Sequence, residues 1–198
     1  MGSFLLQNQW LIMLAWGLVY LSDYYLTIYS ARLFQNEMKE QIAFEGSFEL
    51  TPMFQKDVDG LRLMSPNFLW RWVLSILSIP LIWWLSTWFI SLPFFFYFFL
   101  GALFLREIPV HFRHIRNIAL VHFTRSGAAF HGKIVYSRWF SLRLSAVEFF
   151  SFALFFLAIT AGWGSWFFFG GAVSCLWVGL QHWAWSRKLF SAVKRTEA

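Results

Sequence analysis

An all-α integral membrane protein of five transmembrane helices, N-terminus outside and C-terminus cytoplasmic, is the fold class this sequence predicts. Three observations predict it. The first is charge placement: a five-helix threading puts all sixteen Lys and Arg residues on one side, five from Arg32 to Arg71, seven from Arg106 to Arg143 and four from Arg187 to Arg195. The connections around Ser91 and Gly164 carry none. Excess Lys and Arg marks the cytoplasmic face of a bilayer, which fixes the orientation. The second is composition: 59% of residues are apolar, 23% aromatic and 13% charged, whereas a soluble domain carries roughly 25% charged residues. The third is a series of apolar runs near the length that a hydrocarbon core of about 30 Å requires.

Span one covers about 10–31. No charge precedes Asp23, so this stretch lacks the basic region of a cleaved signal peptide and reads as a retained signal-anchor helix. Its outer half is apolar, but the inner half, from Ser22 to Ser30, is too polar to face lipid all round and is expected to face other helices.

Residues 32–67 form the first cytoplasmic segment, the acidic part of the chain, with short interfacial helices. Phe34, Met38 and Ile42 recur at helical spacing and predict an amphipathic helix ending near Gly46. Thr51-Pro52 has N-cap and N1 chemistry for a second short helix through Phe54, Val58 and Leu61, and Ser65-Pro66 repeats that signal before span two, about 68–90. Arg71 can snorkel to the headgroups, and Pro80 marks a kink site.

A turn at Ser91 and Pro93 leads to span three, about 92–112. Its uncharged part, Leu92 to Leu105, reaches only about 21 Å, so a re-entrant loop competes with a full crossing. The loop reading would leave seven basic residues outside, against the positive-inside rule. Helical spacing of Ile108, Phe112, Ile115 and Ala119 continues the helix through about Arg125, as a stalk of span three or an interfacial helix. In the second cytoplasmic segment, 113–143, Gly127 and Gly132 flank Phe130-His131, and this turn signal before Ile134-Val135-Tyr136 predicts a small hairpin. Span four covers about 144–163, the turn at Gly162 to Ser165 lies outside, span five covers about 165–186, and 187–198 is a cytoplasmic tail. The chain is one polytopic domain without internal repeats. Its lone Cys175 permits no intrachain disulfide.

Four groups of residues are candidates for function. Asp23, Tyr24, Thr27 and Glu148 are expected to line a buried polar cavity, because a carboxylate within the hydrocarbon is costly unless it has a role or a partner. Arg106, Arg143 and Arg71 are the candidate partners. Glu107, His111, His114 and His122 share one helical stripe whose spacing suits a transition metal, against the plainer reading of ordinary interfacial histidines. Arg113, Arg116, Arg125, Lys133, Arg138 and Arg143, interleaved with aromatic side chains, are expected to meet anionic lipid headgroups or a partner, and the basic second loop to pack on the acidic first loop as one inner cap. Gly171, Cys175 and Gly179 form a small-residue face for close helix packing, against another span or a second copy of the chain.

The pI near 9.8 reflects residues that topology already requires, so membrane lipids rather than nucleic acid are the expected partners. No nucleophile with a base, phosphate loop or zinc motif is readable along the chain. Three functions remain: a self-associating or partner-bound sensor, pore or complex subunit; a metal-dependent enzyme acting on a lipid or apolar substrate from the inner leaflet; or a carrier for a neutral or protonated solute. A plasma or bacterial inner membrane is the expected location.

Overall fold

The computed structural model describes residues 6–38, 40–125 and 132–196. It is 81% helical, in the all-α class. Helix α1 (Gln9–Leu33) runs on into a π-helical turn, Phe34–Met38, and strand β1 (Ile42–Phe44) and the short helix α2 (Gln55–Asp59) follow. Helix α3 (Pro66–Trp84) also ends in a π-helical turn, Leu85–Phe89. Then come α4 (Phe94–Arg125), strand β2 (Ile134–Tyr136), α5 (Arg138–Trp163) and α6 (Trp166–Thr196).

Four segments, Gln9–Met38, Pro66–Phe89, Phe94–Arg125 and Arg138–Trp163, are long and apolar enough to cross a membrane. The fifth long helix, α6, has the length at 31 residues but not the apolarity, since Gln181, His182 and four tryptophans lower its hydropathy. Only 11% of the apolar window in α3 is buried inside the molecule, and Trp88, Phe89, Leu154 and Trp163 lie exposed on these helices. Apolar surface on this scale marks an integral membrane protein.

Local chemistry explains where the helices start and stop. Ser65, at φ −118° and ψ 132°, caps α3 by accepting from the Phe68 N–H, with Pro66 at the first helical position. Ser91 turns the chain between α3 and α4 at φ 59°. Gly164 ends α5 at φ 63°, its N–H bonded to the Thr160 carbonyl at 2.8 Å; glycine adopts that left-handed conformation without the cost a side chain would add. Pro109 leaves α4 unbroken.

In packing order, α1 lies between α3 and α4, and α6 between α4 and α5. Buried tryptophan N–H groups need acceptors, and three of them tie α3 to the start of the chain: Trp16 to Ser75 at 3.0 Å, Trp72 to the Gly17 carbonyl at 3.0 Å and Trp83 to the Leu6 carbonyl at 3.1 Å. Helices α4 and α6 meet backbone to backbone. A Cβ built on Gly101 would stand 1.7 Å from the Phe167 carbonyl oxygen, and one on Gly170 1.8 Å from that of Phe98.

The small-residue face of α6 is used inside the chain. A Cβ on Gly171 would meet Leu105 of α4 at 2.5 Å, one on Gly179 would meet the Phe150 ring of α5 at 2.6 Å, and Cys175 is fully buried among Leu105, Phe149, Ala153, Phe156 and Ala172.

Two expectations fail in the loops. The amphipathic helix expected from Phe34 to Gly46 stops at Met38, and Ile42–Phe44 is a strand. The hairpin expected before Phe140 does not form from Ile134–Tyr136, which instead pairs parallel with Ile42–Phe44, Ile42 opposite Ile134 and Phe44 opposite Tyr136; Gly127, Phe130 and His131 lie outside the described residues. Both errors have one cause: three-residue strands bury Ile42, Phe44 and Tyr136 against each other across loops distant in sequence, which local spacing does not register. The second short helix starts at Gln55, later than Thr51-Pro52 implied. The two loops do pack on one another: the ladder is extended by Glu45 N–H to the Tyr136 carbonyl at 2.9 Å, and Glu37 pairs with Arg125.

Candidate functional site

The charged end of the bundle encloses a cavity of about 870 Å³ to which all five long helices and the first loop contribute. Helix α1 supplies Asp23, Tyr24 and Thr27, α3 supplies Arg71, and α4 supplies Arg106, Glu107, Arg113, His114 and Arg116. Helix α5 adds Arg138, Ser145 and Glu148, α6 adds Gln181 and His182, and the first loop closes over them with Glu45, Ser47, Glu49 and Thr51. Between these polar groups the walls are apolar, from Phe44, Phe48 and Phe54 of the cap to Val110, Leu144, Phe149 and Val178 of the helices.

Most of the charge within the cavity is paired. Glu148 accepts from Arg113 Nε at 2.8 Å and also bonds Arg116. Its partners are therefore about two and three turns further along α4 than Arg106, and neither Arg143 nor Arg71 takes that place. Arg106 holds Glu107 at 2.8 Å, and Glu107 is only 5% exposed. Asp23 accepts from His114 Nε2 at 2.9 Å, with the Thr27 hydroxyl 3.2 Å from the same nitrogen. Since a carboxylate only accepts, Nε2 carries the proton. His114 Nδ1 is buried without a partner among the described residues. The Tyr24 hydroxyl donates to the Arg62 carbonyl at 2.7 Å, and its ring stacks on Phe68 at 3.9 Å. Asp23, Tyr24, Thr27 and Glu148 thus share one cavity wall system.

Four lining charges, Arg71, Arg138, Glu45 and Glu49, form no ion pair among the described residues. Arg71 lies over the Phe54 ring at 5.8 Å. Glu49 accepts from the Thr51 N–H at 2.7 Å. Burial raises the Glu49 pKa above the usual carboxylate range, with the bonds from Thr51 opposing and the Asp23 carboxylate adding to the rise.

The Glu107, His111, His114, His122 stripe is dispersed by its neighbours. His111 Nδ1 donates to the Glu107 carbonyl at 2.8 Å and Nε2 meets Ser22 Oγ at 2.7 Å, His114 is committed to Asp23, and His122 is exposed. Among the described residues no three His, Cys, Asp or Glu side chains converge as a metal-ligating group.

Of the basic residues expected at headgroups, Arg113 and Arg116 are held by Glu148, Arg125 by Glu37, and Lys133 is exposed. Arg138 lies on the cavity wall. Arg143 is enclosed by Trp139, Trp183 and Phe190 at 5.3, 5.0 and 5.8 Å. Such aromatic faces attract the guanidinium.

Sequence reasoning missed two hydroxyl–imidazole pairs, Ser22 with His111 and Ser145 with His182, the latter at 2.7 Å. Each joins different helices, so no spacing along the chain announces it. The buried Asp57 was also missed; it accepts from the Ser65 hydroxyl and from Arg62 at 3.2 Å, and so fixes the cap of α3. Comparison with family models, curated proteins and solved structures finds no match.

Proposed function

We propose that this chain is a five-span protein of a plasma or bacterial inner membrane, N-terminus outside and C-terminus cytoplasmic, whose cavity binds the charged head of an amphiphile from the inner leaflet. The observation that carries this reading is the cavity's double lining. Apolar side chains suit an alkyl chain, and charged groups at the same depth suit a polar head. Arg71 and Arg138 are free to take a phosphate or carboxylate, since guanidinium donors match both geometries. The positive-inside rule supports placing the cavity at the cytoplasmic side, and the packing of α6 between α4 and α5 supports counting it as the fifth span. Because Gly171, Cys175 and Gly179 are already covered, a second copy or a complex partner would need another face.

Native mass spectrometry on protein released from nanodiscs of mixed phospholipids tests the binding. The reading requires a retained phospholipid at one per chain, reduced in Arg71→Gln combined with Arg138→Gln; a lipid-free wild-type chain would overturn it. Topology is tested separately by single cysteines in a Cys175→Ala background. A cysteine at Lys133 reacts with an impermeant maleimide from the cytoplasm and one at Gly164 from outside, and the reverse pattern contradicts the orientation.

A further inference from the structure

Two serine hydroxyls lie within hydrogen-bond reach of imidazole nitrogens, and counting protons separates them. Ser22 has two acceptors for its one proton, the Val19 carbonyl at 2.7 Å and His111 Nε2 at 2.7 Å, and neither Ser22 nor His111 lines the cavity. Ser145 is different. Its oxygen receives a bond from Arg113 at 2.6 Å, and that donor has no acceptor function. Among the described residues the Ser145 hydroxyl has no other acceptor than His182 Nδ1 at 2.7 Å, so its proton is assigned to that bond, with Nδ1 the unprotonated nitrogen and Nε2 the N–H. Ser145 and His182 are both buried, 2% and 7% exposed, and both stand on the cavity wall. Three helices hold the arrangement: α4 brings Arg113, α5 brings Ser145, and α6 brings His182. Glu148 fixes Arg113 from behind through Nε.

We infer that Ser145 is a nucleophile, His182 its base and Arg113 its electrostatic partner, in a site that transfers the acyl group of a carboxylic ester carried by an aliphatic amphiphile. The inference rests on the cavity binding such an amphiphile. A hydroxyl becomes nucleophilic when an adjacent base takes its proton, and the base here is within 2.7 Å. In the first step Ser145 Oγ bonds to the ester carbonyl carbon, its proton passes to His182 Nδ1, and the carbonyl π-electrons move to oxygen. The oxyanion forms beside the Arg113 guanidinium, whose fixed charge stabilises it in a water-poor site. Collapse breaks the bond from carbon to the alcohol oxygen, which leaves with the proton held by His182, and Ser145 keeps the acyl group. A water molecule then repeats the sequence: it gives its proton to His182 and bonds to the acyl carbon, and Ser145 leaves with the proton from His182 as the carboxylic acid departs.

An alkyl fluorophosphonate, which reacts with activated serine hydroxyls, tests this on the full chain in phospholipid nanodiscs, with intact mass, peptide mapping and retained lipid read on the same sample. The expected result is one adduct on Ser145, absent in Ser145→Ala, formed about 10²-fold more slowly in His182→Gln, and unchanged in Ser22→Ala. Mapping on the wild-type chain decides the matter even if Ser145→Ala does not fold. An unmodified Ser145 on a chain that retains lipid overturns the nucleophile and leaves the binding site standing, whereas an unmodified chain without lipid overturns both. Labelling of Ser145 at the same rate in His182→Gln would remove His182 as the base.

Discussion

The two ends of the bundle are held by different chemistry. Near the uncharged turns at Ser91 and Gly164, α4 and α6 touch through the backbones at Gly101 and Gly170, and little but ring and methyl packing surrounds them. At the opposite end the helices are spread by long charged side chains, roofed by the β1–β2 ladder, and separated by about 870 Å³ of space. Where side chains are absent the helices close, and where they are long and polar the helices part and a cavity opens between them. The closed end is a joint and the open end a cavity.

Substitutions should separate the two ends in size as well as in kind. Gly101→Leu or Gly170→Leu would drive a side chain into a carbonyl less than 2 Å away. Because backbone cannot step aside, the loss should exceed the roughly 1–3 kcal/mol typical of overpacking, read as failure to obtain monodisperse protein. At the open end Glu148→Ala would leave Arg113 unpaired while the exposed Arg116 turns to water, costing about 1–3 kcal/mol in reversible unfolding. Ser65→Ala removes the cap of α3 and one of the bonds on buried Asp57, and should cost about 1–2 kcal/mol.

The smallest expected effect is a pH slope. The folded chain raises the Glu49 pKa, so the folded state holds this proton at pH values where the unfolded chain has released it. Stability from this group is therefore fully present below the unfolded carboxyl value, roughly 4.3, and is lost as pH rises through the folded value. Glu49→Gln should flatten the melting temperature between those two values and leave the cap at least as stable at neutral pH; an unchanged slope would show that another group sets it.

The contrast also explains what the sequence disclosed. Helix limits were readable at Ser65-Pro66, Ser91 and Gly164 because a cap or a turn is specified by adjacent residues. The small face of α6 was readable for the same reason, although its partners, Leu105 and Phe150, were not. At the open end Asp23, Thr27 and Glu148 were conspicuous as acids and hydroxyls in apolar runs. Their partners were hidden, since His114, Arg113 and Arg116 come from another helix, and the Ser145–His182 pair looks in sequence like one packing serine and one interfacial histidine. The strands failed for want of length: Ile42 fits a helical stripe as well as a three-residue ladder.

The claim that the open end is a binding site is tested most directly by filling it. Ser141, half-buried on the cavity wall near the start of α5, can be changed to Trp, and the melting temperature of delipidated protein followed while a dispersed phospholipid is added. A ligand bound only by the folded chain raises that temperature with concentration. The account predicts a rise for the wild-type chain and none for a folded Ser141→Trp; equal rises in both would mean that lipid stabilises the outer surface and that the cavity is not its site.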